Sequence, residues 1–172
     1  MGVERIYNGW SPFYMSMVLY FFGFIAVAIS WFVSFDVELS KVFRRIAFSL
    51  VVVALLVQLA GLWMRVCISG RPPITNLYSS ALAVSAVYVA VMLIVERITK
   101  LGVGIAKGAI GAFAALLWAW SMSIADGDTF SVLVAVLDTQ FWLSTHVVCI
   151  TIGYAVTFAA GFIALGLSLI HI

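Results

Sequence analysis

The chain has 172 residues, of which 65% are hydrophobic and only 9% are charged. Soluble domains carry about 25% charged residues, so this composition excludes a solvated surface and predicts an integral membrane protein in the lipid bilayer. The net charge is only +2, and no basic patch of the kind that binds nucleic acid is present, so no nucleic-acid partner is expected.

Charged residues recur at intervals and separate long apolar runs. A helix needs about 20 apolar residues to cross a hydrocarbon core about 30 Å thick, and the runs lack the two-residue alternation of membrane strands. The sequence therefore predicts an all-α, polytopic membrane helix bundle that forms a single domain over residues 1–172. Five transmembrane helices are predicted, over residues 13–35, 46–64, 76–95, 101–120 and 146–170. We expect Lys107, in the first turns of the fourth helix, to reach the interface by snorkelling.

The positions of Lys and Arg predict the orientation. Segments 34–45 and 96–107 carry six of the nine, and segment 121–145 carries none. Loops rich in Lys and Arg stay on the cytoplasmic side. The N-terminus and the second and fourth loops are therefore predicted to face outward, which places His146 at the outer end of the fifth helix.

The second loop contains the stretch "GRPPITNLYSS". Two prolines follow Arg71 and cannot continue a helix, so Thr75 or Asn76 is expected to cap the third helix. One interpretation is a stiff turn followed by a cap. The other is that Arg71 presents a fixed cation to an anionic group such as a carboxylate, which suits its planar guanidinium.

The fourth loop is acidic and aromatic. It contains Asp126, Asp128 and Asp138, and Phe141 and Trp142 follow. Aromatic residues at this depth usually form an interfacial belt. The alternative is an aromatic and apolar shelf beside His146 that accepts a flat hydrophobic ligand.

His146 is the first of only two histidines, and the second is His171. On one helix the two lie about 37 Å apart, because each residue adds about 1.5 Å, so they cannot share a metal ion. His146 is interpreted either as a hydrogen-bonded interfacial residue or as a metal ligand. Cys67 and Cys149 form no CxxC motif, and we expect both to be unpaired.

Small residues recur every four positions in the last two predicted helices. Such a stripe lets a neighbouring helix or a flat ligand approach closely. In the fourth helix it indicates helix packing only, and in the fifth helix both interpretations stay open. The stripes are Gly104, Gly108 and Ala112 in the fourth helix, and Thr145, Cys149, Gly153, Thr157 and Gly161 in the fifth.

Two stretches, "SGRPPITNLYSS" and "VLDTQFWLSTHVVCITIGYAVTFAAGF", resemble the CcsA/ResC branch of the system II cytochrome c biogenesis proteins, including the fused CcsBA form. The opening "YNGWSPFYMSMVLYFFGFIAVAISW" is similar to the segment that precedes these motifs in the family. The resemblance covers nearly the whole chain. It implies a protein that carries haem across the membrane and presents it to apocytochrome c, where the haem vinyl groups form thioethers with CxxCH thiols.

The resemblance also implies roles for individual residues. In the family, an outer-face histidine before a tryptophan-rich "WWD" segment is one axial ligand of a b-type haem that is bound non-covalently and transiently. His146, within "FWLSTHVV", matches that histidine and would ligate the haem iron. Phe141 and Trp142 would line the edge of the site. Independently of the resemblance, Arg71 is the first candidate and Arg65 the second to neutralise the haem propionates, because both are cations predicted on the outer side.

The wider expectations follow from the same resemblance. The protein would lie in the bacterial inner membrane with His146 on the periplasmic side, beside a CcsB/ResB-type partner that is separate or fused. The chain has no WWD segment, so we expect it to be a truncated amino-terminal or internal fragment of a larger cytochrome c assembly domain. The complete family protein would act as a cytochrome c synthase, whereas this fragment alone is expected to be inactive. The alternative is a non-catalytic membrane scaffold subunit or a small-molecule transporter.

Overall fold

A computed structural model describes residues 7, 9–70, 74, 76–126, 130 and 140–171 of the chain. Five helices account for nearly all of them, and each contains a segment long and apolar enough to cross a membrane. No strand occurs in the described ranges, so the predicted all-α membrane bundle with five spans is confirmed. The helices are α1 (Pro12–Phe32), α2 (Val37–Ser69), α3 (Leu77–Thr99), α4 (Val103–Asp126) and α5 (Gln140–His171).

Helix α2 begins nine residues before the predicted boundary at residue 46. The carboxylate of Asp36 caps it by accepting hydrogen bonds from the backbone N–H groups of Glu38 and Leu39, both at 3.1 Å. Such a cap satisfies donors that the first turn of a helix leaves unpaired. The cationic cluster at 41–45 therefore lies on helix α2, because the end of an apolar run does not have to be the end of a helix.

Helix α3 begins where the sequence predicted. The side-chain oxygen of Asn76 accepts a hydrogen bond from the backbone N–H of Ser79 at 2.8 Å, so the predicted cap is confirmed for Asn76. The preceding helix α2 ends at Gly70, which adopts the left-handed conformation with φ 63°. Pro72, Pro73 and Thr75 lie outside the described residues.

A buried polar cluster joins the first three helices. The Tyr20 hydroxyl of α1 donates to the Gln58 side-chain oxygen of α2 at 2.7 Å. The Gln58 amide nitrogen in turn donates to the Leu82 carbonyl at 3.0 Å and the Ser85 hydroxyl at 2.7 Å, both on α3. Interhelical hydrogen bonds of this kind contribute roughly 0.6–2 kcal/mol each in a membrane. They fix the relative rotation of the three helices.

Helices α3 and α4 approach each other most closely at glycines. A Cβ atom on Gly104 would lie 2.5 Å from the Met92 carbonyl oxygen, and one on Gly108 would lie 3.0 Å from the Met92 Cβ. Ala112 continues the same stripe and is fully buried. The packing role predicted for this stripe of α4 is confirmed.

Two hydrogen bonds join the α1–α2 region to the α3–α4 turn at one end of the bundle. The Trp31 indole N–H donates to the Leu101 carbonyl at 3.2 Å, and Arg44 donates to the Lys100 carbonyl. The turns α1–α2 and α3–α4 therefore share one end, which we call the basic end (residues 33–45 and 96–107). The predicted grouping of these two segments on one face is confirmed.

Lys107 contacts the fifth helix. Its ammonium group donates to the Phe162 carbonyl of α5 at 2.8 Å, so it links α4 to α5, and its snorkelling to the interface stays a prediction. A backbone carbonyl of a neighbouring helix offers a second lone pair to a cation inside the bundle, and sequence periodicity gives no sign of that partner.

We predict that Gly104→Ala destabilises the bundle by about 1–3 kcal/mol, because the new methyl group meets backbone atoms that cannot move aside. Gly153→Ala in α5 is the matched control, since no atom lies within 4 Å of a Cβ at that position. The control should be neutral or gain up to about 1 kcal/mol from helix propensity. Equilibrium unfolding in mixed detergent micelles measures both, and equal effects would contradict the observed α3–α4 contact.

Candidate functional site

The structure places two of the four predicted site residues with their side chains. Trp142 and His146 both lie on α5 and are exposed. Phe141 is also on α5, but its side chain lies outside what the structure describes, and Arg71 falls outside the described residues altogether. The same is true of Asp128, Asp138 and the apolar stretch between them.

Three buried residues define the side of α5 that packs on the bundle. Thr151, Ala155 and Ala159 are 6%, 0% and 1% exposed, and α5 packs mainly against α3. His146 precedes Ala155 by nine residues, which corresponds to a rotation of about 180° at about 100° per residue. His146 therefore points away from the bundle. Trp142, one turn earlier and 65% exposed, lies on the same side.

The stripe of small residues in α5 lies on this outward side as well. Cys149, Gly153, Thr157 and Gly161 all fall within about 60° of His146 around the helix, and all four are exposed. We call this surface, together with His146, the outer α5 face. A Cβ on Gly153 or Gly161 would meet nothing within 4 Å. The stripe therefore packs against no helix in the described part of the chain, and Ile150, 40% exposed, is the one large described side chain between His146 and Gly161 in the same sector.

The outer α5 face carries two side chains of a type that can ligate a metal, His146 and Cys149. The described residues contain no group of three or more His, Cys, Asp or Glu side chains able to hold a metal ion. Haem iron, however, needs only one or two axial ligands from protein. His146, exposed and on the same side of α5 as Trp142, has the chemistry of such a ligand. Cys67 and Cys149 are both free thiols, as expected.

Arg65 forms a cluster that sequence analysis did not predict. Although charged, it is only 4% exposed. Its guanidinium carbon lies 4.1 Å from the centroid of the Phe130 ring and 4.9 Å from that of Tyr78. It also donates to the hydroxyls of Tyr7 at 3.2 Å and Ser79 at 3.3 Å. We call these five residues the Arg65 cluster.

The Arg65 cluster joins four separate parts of the chain at the end of the bundle opposite the basic end. These are the N-terminal segment, the end of α2, the start of α3 and the segment after α4. Its contacts give Arg65 a structural role, while the interaction of Arg65 with haem propionates stays a prediction. The sequence gives one sign of this cluster. Arg65 stands near the end of an apolar run, where aromatic side chains from other segments can surround a cation.

An apolar groove of about 780 Å³ runs between α2, α3 and α5. Only Thr151 among its lining residues is polar, whereas sites that select small molecules usually contain several placed polar groups. The groove also shows that the start of α5 lies near the end of α2, because Val148 shares the lining with Val66 and Ile74. His146, at the start of the outer α5 face, and the Arg65 cluster therefore lie towards the same end of the bundle.

No protein-family model, curated protein or solved structure matches this chain. The interpretation of the site therefore depends on the sequence motifs and on the geometry of α5.

We predict that Arg65→Met destabilises the bundle by about 2 kcal/mol, because it removes at least two cation–π contacts and at least two hydrogen bonds from a buried position. Methionine keeps the apolar length of the side chain, so packing loss is small. Arg45→Met is the matched control, since Arg45 is exposed and should change stability by less than about 0.5 kcal/mol. Unfolding in SDS-containing micelles measures the difference, and equal stability of the two variants would show that the Arg65 cluster contributes little.

Proposed function

We propose that this chain is the haem-presenting part of a system II cytochrome c assembly protein, with His146 as one axial ligand of the haem iron. The observation that carries the proposal is the position of His146 on the outer α5 face. There an exposed imidazole stands beside a helix surface made of small residues.

The physical argument concerns the shape of the ligand. A planar macrocycle needs one flat surface to lie against and one nitrogen above or below its iron. Cys149, Gly153 and Thr157 let a flat ring approach the α5 backbone, and all are exposed. His146 offers an imidazole nitrogen, and Trp142 supplies an aromatic edge one turn away. When bound, haem would supply the iron centre and the vinyl groups that react with apocytochrome c.

The other half of the site is proposed to come from a segment or partner that this chain does not include. A second ligand to the haem iron would come from a further part of the same protein or from a CcsB/ResB-type partner. The outer α5 face is where such a segment would pack, since small residues favour close helix contact in lipid. Thioether formation would belong to that complete assembly, with this chain alone holding haem.

The alternatives make different use of the same surfaces. A small-molecule transporter would need polar or ionisable groups along its path, and the groove between α2, α3 and α5 has only Thr151. A scaffold subunit would use the outer α5 face for helix packing alone. Haem binding through His146 separates the proposed function from the scaffold.

We predict that the purified chain binds haemin in detergent with a Soret shift typical of histidine ligation. His146→Ala should weaken binding at least tenfold, because the loss of one coordinate bond is expected to cost more than about 1.4 kcal/mol. His171→Ala is the matched control, since it removes the only other histidine at the far end of α5. Added imidazole should restore the shifted spectrum in His146→Ala. A spectrum and affinity unchanged by His146→Ala would overturn the ligand assignment.

We also predict that the start of α5 faces the outside of the inner membrane. In a Cys67→Ser/Cys149→Ser background, Trp142→Cys should react with a membrane-impermeant maleimide on intact spheroplasts. Ser34→Cys, in the exposed α1–α2 turn, should react only after lysis, because the positively charged end stays in the cytoplasm. The reverse labelling pattern would place His146 on the cytoplasmic side and contradict presentation of haem to an exported apocytochrome.

A further inference from the structure

Five cations line one groove at the basic end. The groove has a volume of about 550 Å³ and lies between the first turns of α2 and the last turn of α3. Its cationic lining residues are Lys41, Arg44, Arg45, Arg97 and Lys100. Glu96 is the one acidic residue in the lining, so the groove carries a large excess of positive charge.

The carboxylate of Glu96 is hydrogen-bonded to the backbone at the start of α4. It is 5% exposed, and its two oxygens accept hydrogen bonds from the backbone N–H groups of Gly102 at 2.8 Å and Gly104 at 3.1 Å. Glu96 thereby satisfies donors at the start of α4. A carboxylate held in this way is directed at α4 and not at the cations of the groove.

The cations have few anionic partners. Lys41 pairs with Glu38 at 2.8 Å, which is the one ion pair within the described ranges. Arg44 donates to the Lys100 carbonyl, and Arg97 stacks over the Phe48 ring at 4.6 Å. These contacts orient the side chains without neutralising them. Arg45 and Lys100 are exposed at the mouth of the groove.

The depth of the groove follows from the length of α2. Its 33 residues make a helix about 50 Å long, whereas the hydrocarbon core is about 30 Å thick. If the apolar run 46–64 fills the core, the cations at 41–45 lie up to about 8 Å beyond it. That is the depth of the lipid phosphates, because the headgroup regions add about 5–8 Å on each side of the core.

We propose that this groove binds the phosphate group of an anionic phospholipid in the leaflet at the basic end. Guanidinium groups bind phosphate oxygens through paired, charge-assisted hydrogen bonds, and basic pockets between transmembrane helices suit anionic headgroups. A lipid is favoured over a soluble phosphate because exposed apolar side chains continue down α2 from the groove. Leu56 and Leu59, 60% and 46% exposed, lie within about 40° of Arg45 around α2 and provide a surface for the acyl chain.

The lipid site is independent of haem binding, since it lies at the opposite end of the bundle from Arg65 and the start of α5. It would anchor the basic end of α2 and α3 at a fixed depth in the cytoplasmic leaflet. The proposal therefore stands or falls separately from the proposed function.

The test compares lipid retention and thermal stability of the full chain with three probes: phosphatidylglycerol, phosphatidylcholine and inorganic pyrophosphate. Native mass spectrometry should show phosphatidylglycerol retained by the unaltered chain, with a raised melting temperature. Arg45→Gln/Lys100→Gln should lose retention by roughly tenfold, because each surface cation contributes measurably to anionic lipid binding. Arg5→Gln/Arg71→Gln is the charge-matched control and should retain the lipid. It removes the same charge, but Arg5 and Arg71 are close in sequence to Tyr7 and Gly70 and not to the basic end.

Three outcomes would overturn the proposal. Equal retention of phosphatidylglycerol and phosphatidylcholine would show that the groove does not select negative charge. An equal loss of phosphatidylglycerol in both double variants would show that the lipid responds only to the total positive charge of the chain. Stabilisation by pyrophosphate as strong as that by phosphatidylglycerol would assign the groove to a soluble phosphate. If Arg45→Gln/Lys100→Gln unfolds, the substitute variant is Arg45→Lys/Lys100→Arg. It preserves both positive charges and should retain phosphatidylglycerol as the unaltered chain does.

Discussion

The bilayer interior offers no hydrogen bonds, and every other feature of this structure follows from that constraint. Backbone groups must be paired within the protein, so only helices or closed barrels can cross. Buried side chains obey the same rule, since every buried side-chain nitrogen or oxygen in the described part of the chain has a partner. Gln58 satisfies its oxygen and its nitrogen across three helices. Charges gather at the two ends because the middle cannot hold them.

The two ends of the bundle treat positive charge differently. At the basic end several cations line an open groove and keep their charge available to the headgroup region. At the other end Arg65 is enclosed by aromatic rings and hydroxyls. A guanidinium can be buried in this way because it is weakly hydrated and stacks on rings. One end is thus suited to attract an anion, and the other is held together by its cation.

Helix α5 differs from the other four in how little of it is covered. Its inward side is a narrow line of Thr151, Ala155 and Ala159, and Lys107 adds one polar link from α4. The remaining surface contains both the small-residue stripe and His146. Helix α5 has two stripes of small residues, one packed against the bundle and one exposed. It is therefore suited to contact neighbours on two sides. The proposed haem site uses the open side, where a planar ring and a further helix would meet.

The sequence alone determined the number of helices, their approximate bounds, a cap at Thr75 or Asn76 and the grouping of the charged turns at one end. These depend on hydropathy, capping chemistry and charge, which are properties of single segments. Only the tertiary structure decided that His146 faces away from the bundle, that Arg65 is buried and that Glu96 caps α4. In water an amphipathic pattern reveals the packed side of a helix, but in lipid both sides are apolar. The rotation of α5 is therefore set by packing against its neighbours, because its sequence offers small residues every four positions on both sides.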